Sequence, residues 1–319
     1  MRYSILLPLG PALPEEAVPF ANLVQWTGAE RLWQGQGMAL ESHHLVSWLA
    51  GIGIRVPVGF GVSLMPFRSP YQAAVEARSV ALTTGHPVVA GFGPGAKPLQ
   101  KGALGKPYAS PLRAAREYLQ IVRDLLSGEQ TDVSGDYHSV SAKLSQTDVP
   151  PVELGLGVLR EGMAILAGEV ADVAVTWMGS ARYVGDTLIP AMRSADRALE
   201  APIRVTAIVP VALSGEDRDM IELAAAACGS HLLLEHYRDT LRKAGITLHG
   251  EHNADDVKRL VDGGVFLYGT GEEIHRRLDE YRVAGVDEVV LNVNGVAQIH
   301  GAKAAARDLL SILRAIPAS

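Results

Sequence analysis

Val58-Gly59-Phe60-Gly61-Val62-Ser63-Leu64-Met65-Pro66-Phe67-Arg68-Ser69-Pro70 reads as a strand that breaks into a turn and then a helix. A Gly-Val step sits inside an uncharged strand, and the strand runs into a turn. A helix led by Arg68 and Pro70 follows over Tyr71–Thr84, and then a second apolar run, Pro87-Val88-Val89-Ala90-Gly91-Phe92, reads as another strand. Outward from this unit the same alternation covers the chain. Strands are expected at Tyr3–Leu7, Glu30–Gln34, Ile54–Val62, Pro87–Phe92, Val152–Leu156, Asp172–Thr176, Ile203–Val211 and Glu288–Val293. They are short and mostly apolar, as strands buried on both faces of a parallel sheet are. Helical spacing fills Glu15–Thr27, Pro70–Thr84, Pro111–Leu126, Arg182–Leu199 and Glu272–Ala284, with Gly, Asp and Pro between the segments.

Eight such strands in 319 residues predict one (β/α)8 TIM barrel over residues 1–319. A doubly wound sheet with a second lobe is the alternative. Two stretches are too long for simple connections. Residues 128–151 are expected to carry a small hairpin around Ser134–Tyr137, and residues 224–264 to add helices after the seventh strand.

Composition narrows the function. Hydrophobic residues at 48% and charged residues at 20% describe a globular chain with ample core. Lys and Arg number 29 against 35 Asp and Glu, a net charge of −6 that argues against nucleic acid or an anionic membrane as partner. No apolar run reaches the roughly 18 residues of a membrane span. The lone Cys228 excludes an intrachain disulfide framework. With no leader-like start, the cytoplasm is the expected compartment.

The usual catalytic signatures fail one by one. Gly91-Phe92-Gly93-Pro94-Gly95-Ala96 fits G-x-G-x-x-A, but Lys97-Pro98 and a loop-like stretch follow where a dinucleotide fold needs a helix. It reads instead as a glycine-rich loop whose missing Cβ atoms let a cofactor approach the backbone. His231 and His236 have the wrong spacing for a zinc motif and stand about 140° apart on a helix. His249 and His252 lack a third ligand, so no metal is expected. His43 and His44 follow the second strand, where they overlook a barrel mouth or simply begin a helix.

The opening stretch resembles the third and fourth strands of the luciferase-like monooxygenase superfamily. Arg116-Glu117-Tyr118-Leu119 with Gly135-Asp136-Tyr137, Leu166-Ala167-Gly168-Glu169-Val170-Ala171-Asp172, and Tyr268-Gly269-Thr270-Gly271 through Val290 agree in the same order. The resemblance implies a barrel whose C-terminal mouth holds coenzyme F420, used for hydride transfer, or alternatively FMN, used with oxygen. It implies a bulge with a non-prolyl cis peptide at Gly61-Val62, next to Ser63, behind the ring. It puts Gly91, Gly93 and Gly95 beside the cofactor, and Gly157, Leu159, Arg160, Glu161, Gly162 and Met163 at its phosphate, where a helix N-terminus favours anions. It also implies a homodimer through Leu45, Val46, Trp48 and Leu49, unless these face the core.

One departure matters. Family dehydrogenases acting on sugar phosphates carry an Asp-His pair after the second strand and a Glu after the glycine loop. Here Gln36 and Gly37 hold the first two places, and Ala96 and Lys97 the last. Neither Gln nor Gly moves a proton near pH 7. That leaves reduction of an activated C=C bond as the expected chemistry, on a small molecule or a peptide. Lys97, His43, His44, Tyr108 and Tyr137 are proton donors by position. Some relatives reduce dehydroalanine in peptides, and the glycines at 35 and 37 would open the mouth to such a substrate. A barrel that binds a cofactor without catalysis is the reading from another class.

Overall fold

The computed structural model describes residues 1–8, 10–250 and 254–316. Eight strands build the barrel: β1 (Arg2–Leu6), β2 (Leu32–Gln34), β3 (Val58–Leu64), β4 (Val88–Gly93), β5 (Val152–Val158), β6 (Val173–Trp177), β7 (Arg204–Leu213) and β8 (Glu288–Asn292). Each pairs in parallel with the next, β6 meets β7 through Val175 and Thr206, and β8 returns to β1 through Val289 and Tyr3. The circle is closed, so the doubly wound alternative falls away.

Helices wrap the outside: α1 (Val18–Trp26), α2 (Ser42–Gly51), α3 (Pro70–Thr84), α4 (Lys97–Leu104), α5 (Pro111–Ser127) and α6 (Glu161–Val170). Then come α7 (Ala181–Tyr183), α8 (Ile189–Arg193), α9 (Met220–Leu232), α10 (Glu235–Lys243), α11 (Ala254–Asp262), α12 (Gly271–Ala284) and α13 (Asn294–Ala315). Their ends follow local chemistry. Ser69 Oγ accepts from Gln72 N–H at 3.2 Å, Pro70 opens α3, and Gly85 closes it at φ +73°. Thr270 and Glu273 form a reciprocal capping box at α12. The expected hairpin is present, with Thr131–Ser134 antiparallel to Ser139–Ala142, and the stretch after β7 carries α9, α10 and α11.

Three expectations need correction. A helix does begin at Lys97: Pro98 sits in its first turn, where no amide partner is needed, and Gly105 ends it at φ +77°. The segment 182–199 is not one helix, because a π-helical turn at Val184–Leu188 separates α7 from α8 and the helix ends at Arg193. Leu45, Val46 and Leu49 are buried within the chain, which leaves only Trp48 of the four partly exposed and removes them as a subunit face. Among the described residues, no helix is long and apolar enough to cross a membrane.

The core has two layers. A large shell fills the space between strands and helices. Inside the barrel, Leu6, Trp33, Val89, Val173, Val175, Ile208 and Val290 pack together, with Val62 and Trp177 against them. At the lower end of the interior the buried carboxylate of Glu288 accepts from Ser4 Oγ at 2.6 Å and Trp33 Nε1 at 2.7 Å. Arg31 Nε lies 3.2 Å from the same oxygen and balances its charge. A buried carboxylate needs such partners.

Candidate active site at the barrel mouth

The inward positions of β3, β4 and β5 are Gly59 and Gly61, Gly91 and Gly93, Gly155 and Gly157. A side chain at Gly59 would lie 2.5 Å from the indole of Trp33, and one at Gly61 3.1 Å from the same ring. The first two glycines therefore make room for Trp33, which is fully buried. Beyond Gly61 the β3–β4 register shifts between Phe60 and Ser63, and the Gly61–Val62 peptide is cis. The shift turns Val62 inward. A Cβ at Gly93 would lie 2.8 Å from Val62 and one at Gly157 3.4 Å from it, while one at Gly91 would meet the Phe60 carbonyl oxygen at 2.1 Å before reaching Val62 at 3.4 Å. The hollow over these glycines is thus already filled by Val62, not left open to a ligand. Val62 forms an apolar floor at the top of the packed interior, with Ser63 buried beside it.

Around that floor the β4 and β5 connections expose backbone donors. Neither α4 nor α6 has a side-chain N-cap: Ala96 precedes the first and Arg160 the second. The opening amides of α6, at Glu161 and Gly162, have no partner inside the helix, and the helix dipole favours an anion there. Leu159 offers its carbonyl to Tyr183 Oη at 3.1 Å, which holds the connection in place. Trp177 ends β6, and its Nε1–H is buried with no hydrogen-bond partner among the described residues. An orphaned donor, free helix amides and an apolar floor together suit a planar heterocycle that carries a phosphate. The donor set fits a flavin or a deazaflavin.

The proton carriers expected from the sequence do not converge. His43 lies in the layer outside the barrel, stacked on Phe60 at 4.3 Å, with Nδ1 2.8 Å from Glu41 Oε1. Arg68 joins that cluster, 3.2 Å from Glu41 and 3.1 Å from Glu76. Burial pushes the Glu41 carboxyl up, but the His43 hydrogen bond and charge and the amides of His44 and His43 outweigh it and hold it at about 2. His44 is exposed near the start of α2. Lys97 is exposed at the head of α4. Tyr108 is buried in the wall of a cleft of about 760 Å³ beside the mouth, edge-on to Tyr137 at 5.5 Å. Burial raises its hydroxyl pKa. Arg68, Tyr71, Lys106, Tyr137 and His138 line the same cleft.

Gln36 is held at both ends: Oε1 accepts from Leu64 N–H at 3.0 Å and Nε2 donates to the Gly37 carbonyl at 3.0 Å. Gly37 serves a tight turn, since a Cβ there would meet the Leu40 carbonyl at 2.0 Å. It therefore does not widen the mouth as expected.

His231 and His236 lie on α9 and α10 rather than on one helix. His231 packs on Trp177 at 5.3 Å and on Tyr237 at 4.9 Å. Burial, with help from His236, lowers its pKa to about 4. His252 lies outside the described residues, and among those described no group of His, Cys, Asp and Glu is arranged to hold a metal. Cys228 is buried, as expected of a small core residue.

The family of luciferase-like monooxygenases matches residues 1–288. An uncharacterized protein of Mycobacterium tuberculosis is 27% identical over 140 residues, 44% of this chain and 47% of that protein, so the match spans about half that relative's length. The F420-dependent glucose-6-phosphate dehydrogenase 2 of Rhodococcus jostii is 24% identical over 286 residues, 85% of this chain and 83% of the relative. Among solved structures, the coenzyme F420-dependent tetrahydromethanopterin reductase of Methanopyrus kandleri superposes with a TM-score of 0.73 at 17% identity, covering 97% of this chain and 98% of that one. The oxygenating constituent of 3,6-diketocamphane monooxygenase from Pseudomonas putida, in complex with FMN, gives 0.71 at 16% identity, with 99% of each chain covered. At these identities the likeness shows the shared barrel.

Proposed function

The chain belongs to the luciferase-like monooxygenase family, and on that premise we propose that it is a coenzyme F420-dependent oxidoreductase that reduces an activated C=C bond. The doubly held amide of Gln36 carries this reading. Alcohol oxidation needs a base to remove the hydroxyl proton, and an amide cannot take one near pH 7. Reduction of an activated alkene needs a hydride at the β-carbon and a proton at the α-carbon, which water or a nearby acid delivers. The match over 85% of the chain to an F420-dependent enzyme supports the cofactor.

When bound, reduced deazaflavin supplies the hydride. The chain's own residues do the rest. Val62 and Trp177 close the mouth from below with apolar surface and keep water from the floor. The Glu161 and Gly162 amides and Arg160 would hold the phosphate. Trp177 Nε1, buried without a partner among the described residues, would donate a hydrogen bond to the heterocycle. Tyr108, whose hydroxyl pKa burial raises, and exposed Lys97 are the donors assigned to the rim; His43, behind the barrel wall, is not. The tyrosine-lined cleft gives a bulky substrate, such as a dehydroalanine peptide, a surface on which to rest.

The test is anaerobic turnover. Reduced F420 should return to its oxidised absorbance when an enone or a dehydroalanine peptide is added. Oxidation of secondary alcohols without alkene reduction would overturn the reading. The phosphate cradle also suits FMN, the second reading, and an oxygen-dependent product from reduced FMN would select it.

A further inference from the structure

The insertion after β7 brings a charge cluster to the rim, of which the reading above uses only Arg160. The carboxylate of Asp239 on α10 meets Arg160 Nη1 at 3.0 Å, Lys243 Nζ at 3.4 Å and the guanidinium of Arg242. Three cations around one carboxylate leave an excess of two positive charges. Arg242 and Lys243 lie three and four residues from Asp239, ordinary helix spacing. Arg160 does not: it reaches across from the β5–α6 connection, 79 residues away in sequence.

The placement of α10 is tied to the mouth. Trp177 at the end of β6 packs on His231 of α9, and His231 packs on Tyr237 of α10. One wall of the rim therefore carries the uncapped start of α6, Arg160, and the two surplus cations together. A single phosphate at α6 would use the amides and Arg160, leaving Arg242 and Lys243 over. We infer that α10 forms a second anion subsite, in which Arg242 and Lys243 receive carboxylates that follow the cofactor's phosphate. Asp239 is the positioning residue that gathers the three cations at one point. The ligand class is a phosphodiester bearing an acidic peptide-like tail, as in F420, rather than the lone terminal phosphate of FMN. This inference rests on the F420 reading and sharpens it.

The test is equilibrium binding of oxidised F420 and of a truncated deazaflavin that keeps the phosphate but lacks the acidic tail, across a salt series, to wild type and to the double variant Arg242→Ala, Lys243→Ala. Both side chains are substantially exposed, so the fold should persist, as far-UV circular dichroism will report. Two exposed charge contacts should give a three- to tenfold loss, as an order of magnitude, in F420 affinity at low salt. The dependence of log Kd on log salt should flatten, because fewer ionic contacts are screened. Binding of the truncated ligand should not change. Arg282→Ala, which breaks a similar helix pair with Asp279, is the control. If the double variant binds F420 with wild-type affinity and salt dependence, or loses the truncated ligand equally, the subsite is refuted while the F420 reading stands. If wild type binds neither ligand, both are refuted.

Discussion

Gly59→Ala tests whether the glycine face of the barrel exists to house Trp33. The new Cβ would sit 2.5 Å from Cδ2 and Cε2 of the indole. Carbon atoms normally meet at about 3.5–4.0 Å, so the overlap is about 1 Å or more. The ring cannot back away: it is fully buried, its Nε1 is bonded to Glu288 at 2.7 Å, and Gly61 packs on it from the next inward position. Overpacking of this kind costs about 1–3 kcal/mol, and the pinned ring places the expectation near the upper end. The companion change is Trp33→Leu, which empties the space. In that background Gly59→Ala should cost less than about 0.5 kcal/mol, so a double-mutant cycle should show a coupling of about 2 kcal/mol. The assay is equilibrium urea unfolding followed by far-UV circular dichroism, since Trp33 is itself altered. Equal cost in both backgrounds would refute the wedge, as would a Gly59→Ala variant as stable as wild type.

Glu288→Gln should destabilise by about 3 kcal/mol, because it removes the buried partner of Arg31 and leaves the guanidinium only the half-exposed Glu30 at 3.3 Å; a loss below about 1 kcal/mol by urea unfolding would contradict this. Glu41 has a folded pKa of about 2, below its unfolded value, so its stabilising contribution is present at neutral pH and is lost as pH falls toward 2. Glu41→Gln should therefore lose stability at pH 7 but flatten the acid limb of the pH–stability curve, and an unchanged limb would contradict the pairing. Burial pushes the Cys228 thiol up to about 12, so it should resist an aromatic disulfide reagent in the native protein and react once urea unfolds it; rapid native reaction would show that the α9 packing is open.

The fold is largely legible in the sequence because parallel strands buried on both faces leave continuous apolar runs. The eight strands, the hairpin at 131–142 and the extra helices after β7 all follow from that pattern and its turn residues. The site is legible only in part. Trp33 does not stand out, because a tryptophan in a three-residue strand looks like ordinary core. The available signal is the row of inward glycines, whose missing volume some large neighbour has to supply. Of the two places open to His43, it takes the start of α2 and not the mouth, because side-chain direction after a short strand depends on the loop that follows, and here Glu41 and Phe60 draw it behind the barrel wall. The Arg160–Asp239 pairing depends on where α10 docks, which no local pattern encodes.

Titration of the protein with F420 and with FMN, followed by tryptophan fluorescence beside a Trp177→Phe variant, separates the two cofactors. F420 should quench the fluorescence saturably, with FMN weaker by about tenfold or more, and the variant should give a reduced signal, because Trp177 stands at the floor of the mouth. Tighter binding of FMN, or no binding of either, would contradict the F420 reading.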